Sequence, residues 1–377
     1  MATTDTPHPP PPPPTTAHPG WSALGPDITE LILSHLPLRS IVVASAVCKQ
    51  WRSAVTHPSF SSLAVLSRPP KPWFFLYGLN NVFTKNNQAF AFDPDSSTWS
   101  RLPTSDDDVS GSAGFLFSAD HSLRFSPLLL RRPLWRQTPP LRVSRSNPLI
   151  GVIGPPGRPS SFVVVGGVKY IGGLVDIEDG LAVEVYHVGS DSWDLCPPMP
   201  PEFRSHRLSS AVIGHRVYVC DIHTCHVSHF DVAMRRWSGV RALRPVGVQL
   251  SFLVACADRL LLAGLCGTAR GPLFKLWSVC DDSGECVEIG AMPQEMLMGM
   301  FDSEGEEEFA SLRCVGLEGM VYVFNEEQHR AYPACLCEVA VGGGCVWRKV
   351  PELPGPVNRF HRVVSFCSCV SLASVLG

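Results

Sequence analysis

No stretch of these 377 residues approaches the ~20 consecutive apolar residues that a membrane helix requires, so no helical anchor and no membrane partner are expected. Charge is scarce as well. Asp, Glu, Lys and Arg make up 17% of the chain, and a formal net charge of −3 is no footprint for nucleic acid. The first twenty residues hold no apolar segment of the kind a secretory signal needs, which points by default to the cytosol or nucleus. In that compartment the 14 cysteines are expected as free thiols, most of them small buried hydrophobes. No GxSxG, HExxH, GxxxxGK[ST] or GxGxxG sits in the strand–helix context its chemistry demands. The six tyrosines are scattered through strand-like runs and form no converging set with histidine. No catalytic residue, metal or cofactor is expected.

What is abundant is punctuation. The 35 prolines and 31 glycines spread along the chain favour many short strands and turns over long helices. Residues 1–20 form a separate Pro-rich tail, expected as a disordered, extended spacer, although Pro9 to Pro14 could also offer a polyproline ligand.

Residues 24 to 60, LGPDITELILSHLPLRSIVVASAVCKQWRSAVTHPSF, read as a small helical unit. Asp27 with Glu30 three residues on resembles a capping box, Ile28, Leu31, Ile32 and Leu36 follow at helical spacing, and Pro37 stops the helix. A second apolar run, Ile41 to Val47, leads into Cys48, Lys49, Gln50 and Trp51. A unit of roughly 40 residues without disulfide or metal rarely holds a core of its own. Leu33, Pro37, Val43 and Trp51 are therefore expected to be available to a partner.

Leu24, Pro26, Asp27-Ile28, the run ELILSHLP and Val47-Cys48-Lys49 with Trp51 closely resemble an F-box. That module docks a substrate receptor onto the Skp-type linker of a cullin ubiquitin ligase. The family usually opens Leu-Pro, whereas this chain has Leu24-Gly25-Pro26. The resemblance implies an F-box over residues 21–65, with linker contacts from Leu24, Pro26, Ile28, Ile32, Leu36, Pro37, Ile41, Val47, Cys48 and Trp51.

From residue 72 onward a loose repeat runs to about residue 370. Its clearest unit is an aromatic residue, a polar turn, then Trp: Phe92 to Trp99, Tyr186 to Trp193, Phe230 to Trp237. Each reads as a hairpin whose second strand opens with Trp. Pro103, Pro197 and Pro245 follow the Trp strands and place them at a sheet edge, where no ladder donor is needed. Trp135 and Trp347 mark weaker copies, and Cys286 stands where a sixth Trp is expected, giving a period near 50. That period with four short strands per unit points to a mainly β fold, a kelch-type β-propeller of about six blades behind a small all-α F-box module. Gly166-Gly167 and Gly172-Gly173 resemble the glycine pairs of kelch repeats, while later units lack them. A WD40 propeller or a β-sandwich is the structural alternative, but no Trp-Asp ends a strand in the WD40 manner. The first unit lacks an innermost strand, and residues 360 to 370 near the C-terminus look like it.

His223, Cys225, His226 and His229 are metal-ligand types, yet they have no second pair nearby and read as a loop between strands. Cys335/Cys337 and Cys367/Cys369 alternate with apolar residues and read as core thiols. Six arginines and no acid lie between Arg124 and Arg145, with Trp135 among them, against an acidic run from Asp302 to Glu308. Arg131, Arg132, Trp135 and Arg136 have the composition of a protein-binding hot spot. Together the two halves resemble the F-box/kelch-repeat family, numerous in plants. That resemblance implies a non-catalytic adaptor whose propeller holds a target protein for ubiquitination. A ubiquitin-independent kelch scaffold is the rival reading, and a copper-dependent propeller oxidase a more distant one.

Overall fold

The computed structural model describes residues 25–80, 82–104, 109–171, 174–176, 179–204, 207–269, 271–280, 283–301, 306–328, 331–340 and 342–376. The Pro-rich tail, Leu24, the Gly172-Gly173 pair, Asp302 and Glu304 lie outside the described residues. Internal contacts divide the chain into two compact units between Pro69 and Pro70.

The first unit is four short helices: α1 (Pro26–Ser34), α2 (Leu38–Ser45), α3 (Lys49–Thr56) and α4 (Phe60–Ser67). The expected capping box is not how α1 begins. Pro26 occupies the first helical position, where its missing N–H costs nothing, and Gly25 is the cap residue with no side-chain bond. Asp27 and Glu30 fall inside the helix instead. The Gly25 carbonyl accepts from both the amide and the hydroxyl of Thr29, the latter at 3.1 Å. Pro37 does end the run and serves as the cap residue of α2, while Cys48 Sγ accepts from the Trp51 amide to start α3. The Ser34 and Ser67 hydroxyls bond at 2.9 Å and tie α1 to α4.

The second unit is all β apart from short turns of helix. Strand β1 (Pro72–Leu79) pairs with β2 (Gln88–Asp93), which pairs with β3 (Thr98–Leu102). The second blade is β4 (Ser110–Ser112), β5 (Phe115–Ala119), β6 (Ser122–Pro127) and β7 (Arg136–Pro140). The third is β8 (Leu149–Ile153), β9 (Ser161–Val165), β12 (Val183–His187) and β13 (Ser192–Cys196), interrupted by a small hairpin of β10 (Lys169–Ile171) and β11 (Leu174–Asp176). The fourth is β14 (Leu208–Ile213), β15 (Arg216–Asp221), β16 (His226–Asp231) and an outer edge split into β17 (Arg236–Trp237) and β18 (Arg241–Ala242). The fifth runs β19 (Val248–Cys256), β20 (Arg259–Thr268), β21 (Gly271–Val279), β22 (Cys286–Ala291) and is followed by the short helix α5 (Gln294–Met298). The sixth is β23 (Leu312–Leu317), β24 (Met320–Asn325), β25 (Ala334–Val339) and β26 (Cys345–Lys349). Finally β27 (Arg362–Cys369) returns to pair with β1, ahead of a terminal turn of helix α6 (Leu372–Leu376).

The innermost strands β4, β8, β14, β19, β23 and β27 touch one another in succession, and β27 touches β4. The ring is therefore closed, with residues from the C-terminal end supplying the inner strand of blade one. This is a mainly β, six-bladed propeller, and closure removes the open sheet edges that invite aggregation. Its core is distributed between blades, as in the cluster of Phe115, Phe117, Phe162, Tyr186 and Trp193 across blades two and three.

The recurrent Trp has one physical job. In three hairpins its ring packs on the cross-strand aromatic: Phe92–Trp99 at 5.3 Å, Tyr186–Trp193 at 5.2 Å and Phe230–Trp237 at 5.5 Å. The residue before each Trp strand (Ser97, Asp191, Arg235) has positive φ, the left-handed position of a four-residue hairpin turn. Each indole then donates across to the preceding blade: Trp99 Nε1 to Pro351 O (2.7 Å), Trp193 to Pro139 O (2.9 Å) and Trp237 to Pro197 O (3.1 Å). All three acceptors stand four residues after the preceding blade's Trp. Proline suits this place because it lacks an N–H and only its carbonyl needs a partner.

Blade five breaks the chain of indoles. Four residues after Cys286 stands Gly290, not proline, and the buried Trp347 Nε1 has no hydrogen-bond partner among the described residues. Trp193→Phe is accordingly expected to cost about 1 kcal/mol in urea denaturation, the worth of one hydrogen bond. Trp347→Phe removes an unsatisfied buried donor and should cost clearly less. Equal losses at the two positions would contradict the assigned role of the indole N–H.

Candidate functional site

On α1, Ile28, Leu31 and Ile32 stand at i, i+3 and i+4, which puts them on one helix face. All three are exposed, Ile28 by 50%. Val43 and Val47 on and just after α2 are exposed by 64% and 63%, and Leu66 on α4 is exposed too. So many bare aliphatic side chains on helices of eight or nine residues are the notable property of this unit. The buried apolar residues are Leu33, Ile41, Ala44, Val55 and Phe60.

Of the ten expected linker contacts, Ile28, Ile32, Val47, Pro26 and Cys48 are exposed, while Leu36, Pro37 and Trp51 are half-buried. Two expectations are corrected. Ile41 is only 3% exposed and Leu33 only 2%, so both serve the fold and are not presented outward. Linear spacing marks both as apolar helix residues but cannot say which face the neighbouring helices cover. Leu31 and Val43, outside those ten, present more apolar surface than several of them. The Leu24-Gly25-Pro26 departure leaves Pro26 at the first helical position.

In the propeller, Arg131, Arg132, Trp135 and Arg136 lie together between β6 and the first residue of β7, on blade two. The three arginines are exposed and Trp135 is half-buried under the Arg124 guanidinium, 5.7 Å from the ring centroid. Arg124 therefore adjoins this patch, whereas Arg142 and Arg145 are engaged by Glu184. Arg124 also donates to Ser118 Oγ, Arg142 N donates to Glu184 Oε1 (2.8 Å), and Arg145 is buried in an ion pair with Glu184. Sequence reasoning missed that pair; its visible signal was a lone acid in the otherwise apolar strand AVEVYH.

The cysteine-bearing strands are core. Cys335 and Cys337 are buried in one cluster with Phe274, Leu312 and Val323. Burial pushes the Cys335 and Cys369 thiols up to about 11 and holds those of Cys337 and Cys367 above their ordinary value. Such thiols stay protonated and unreactive at neutral pH. In the HTCHVSH segment, His223 lies in the exposed turn between β15 and β16 while Cys225 points inward at 0% exposure, so the two do not converge. Among the described residues no group of three or more His, Cys, Asp or Glu is placed to hold a metal ion.

A small helical unit with an exposed apolar face, joined to a six-bladed propeller, has the architecture of a binding adaptor. The family model for the F-box domain matches residues 21–63. An F-box/kelch-repeat protein of Arabidopsis thaliana is 29% identical over 94% of this chain and 92% of its own length. The Arabidopsis thaliana protein UNUSUAL FLORAL ORGANS is 26% identical over 80% of this chain and 74% of its own. Among solved structures, TolB from Acinetobacter baumannii aligns with 85% of this chain and 72% of its own, at 9% identity and a TM-score of 0.45. The chain thus carries an F-box domain ahead of a β-propeller, as F-box/kelch-repeat proteins do.

Proposed function

We propose that this chain is the substrate-recognition subunit of an SCF-type cullin ubiquitin ligase, working in the cytoplasm or nucleus. The F-box, at residues 21–65, holds a Skp-type linker and through it a cullin. The propeller, at residues 72–370, holds a target protein, and the chain itself carries out no bond chemistry. Its contribution is proximity: transfer of ubiquitin to a bound target becomes effectively intramolecular. The observation that carries this reading is the F-box match over residues 21–63 coinciding with the bare aliphatic face of Ile28, Leu31 and Ile32. A linker that covers such a face removes from water only the exposed half of each side chain, worth about half of the roughly 1.5–3 kcal/mol of a full burial.

Pull-down of the purified chain with a purified Skp-type linker tests it. Wild type is expected to bind, and Ile28→Glu with Ile32→Glu should weaken binding more than about 100-fold. Because both side chains are exposed, the propeller of that variant should melt as in wild type. Linker binding that survives the double change, or a wild type that never binds, would overturn the reading in favour of a ubiquitin-independent scaffold.

A further inference from the structure

The loop between β6 and β7, residues 128–135, is fixed at three points. Leu128 N donates to Gly114 O (2.8 Å), Leu130 N to Ser374 O (2.9 Å) and Leu134 N to the Oγ of the buried Ser126 (2.8 Å). Trp135 is half-buried under the Arg124 guanidinium. From this fixed backbone and the first residue of β7, Arg131, Arg132 and Arg136 stand exposed, with Leu134 63% exposed among them.

These three arginines differ from the others of the segment. Arg124, Arg142 and Arg145 donate to Ser118, Trp193 and Glu184 respectively. Arg131, Arg132 and Arg136 have no hydrogen-bond or ion-pair partner among the described residues. No acid lies between Arg124 and Arg145, and Asp120 stands beyond the far end of β6, a strand of six residues or roughly 20 Å away. On blade three, Asp191 accepts from the Tyr186 hydroxyl (2.6 Å), and Asp194 pairs with His187 and Arg235. Clustered like charge of this kind adds self-repulsion to the fold, and its counter-charge comes from solvent ions or from another molecule.

We propose that this edge of blade two is a docking site for the target, and that what docks is a short acidic segment of a protein. A guanidinium matches a carboxylate with two parallel N–H···O bonds, and Leu134 offers an apolar contact beside them. Because the loop is already held, binding orders little of the backbone. A long polyanion such as nucleic acid fits less well. The chain as a whole is at −3, and residues 248–358, which hold blades five and six, carry 16 Asp and Glu against 7 Lys and Arg. Screening over about 8 Å at physiological salt keeps recognition local to the patch. The proposal rests on the target-binding reading above, but its test does not involve the linker, so either can fail alone.

The full-length chain is titrated at physiological salt into three fluorescein-labelled probes: Glu-Asp-Leu-Asp-Glu, its Gln-Asn-Leu-Asn-Gln analogue, and a thymidine pentanucleotide. Fluorescence anisotropy should show saturable binding of the acidic peptide, at least about ten-fold tighter than of either other probe. Arg131→Glu with Arg132→Glu should weaken that binding at least about ten-fold. Arg158→Glu with Arg236→Glu changes the net charge equally on blades three and four, and should leave it within about two-fold. All four side chains are exposed, so both variants should melt as wild type. No saturable binding of the acidic peptide up to about 1 mM overturns the proposal. So does an amide analogue or an oligonucleotide that binds as tightly, or a control pair that weakens binding as much as the patch pair.

Discussion

A chain ending at residue 358 is expected to be insoluble or to lose its cooperative melt altogether. The deletion removes β27, which pairs with β1 in register from Pro72↔Cys369 to Leu79↔Arg362. It strips Phe366 from its stack on Phe75 (4.9 Å) and Tyr77 (5.8 Å), and Phe360 from its stack on Tyr332 (5.2 Å). It also removes the Ser368 hydroxyl that accepts from the Gly114 amide at 2.7 Å, a link from blade one to blade two. Phe360 and Phe366 are both buried, and losing a buried Phe side chain alone costs about 3–5 kcal/mol. Two such losses, together with an opened ladder along a fully buried β1, match or exceed the roughly 5–15 kcal/mol by which a domain is stable. The checks are soluble yield and thermal unfolding by circular dichroism. A cooperative transition at the wild-type temperature would show that the ring does not depend on its last strand.

That closing strand was legible because a propeller repeats its strand order. Once blade four had shown an inner strand ahead of Tyr218, the first blade was visibly one strand short, and FHRVVSFCSCVSL was the remaining apolar run without a place. The Trp positions were legible for a related reason. Trp99, Trp193, Trp237 and Trp347 open or lie within outermost strands, Trp135 stands one residue before β7, and Cys286 opens β22. One bulky side chain performs the same packing task in blades one, three and four, and a task repeated along the chain leaves a trace even when the glycine pairs have drifted.

What was not legible depended on contacts between distant residues. Leu33 and Ile41 are apolar at helical spacing, just as Ile28 and Val43 are, and only the arrangement of four helices separates the buried from the bare. The start of α1 was misread because Asp27 and Glu30 satisfy a local pattern that Pro26 overrides by fixing its own φ one residue earlier.

Glu184→Gln is expected to destabilise the propeller by about 3–5 kcal/mol, since it breaks a fully buried ion pair from one side. The Glu184 and Arg145 side chains are 0% and 1% exposed. Neither belongs to the repeat. Glu184 sits in β12 of blade three, and Arg145 in the linker that crosses from blade two. The linker has no ladder of its own, so its polar backbone must be satisfied by other means. Glu184 accepts from the amides of Arg142 (2.8 Å) and Val143 (3.4 Å), while Arg145 donates to the carbonyls of Gly166 (3.3 Å) and Ala182. Each charge thus satisfies the partner charge and backbone groups at once. Arg145→Met should cost as much as Glu184→Gln, because it leaves a carboxylate buried without its cation. A double change, Glu184→Gln with Arg145→Met, should be less damaging than the sum of the single losses, yet still short of wild type because a linker amide and two carbonyls lose their partners. Urea denaturation of the four proteins gives the cycle. A single variant within about 0.5 kcal/mol of wild type would mean that water reaches the pair and that it does little to join blades two and three.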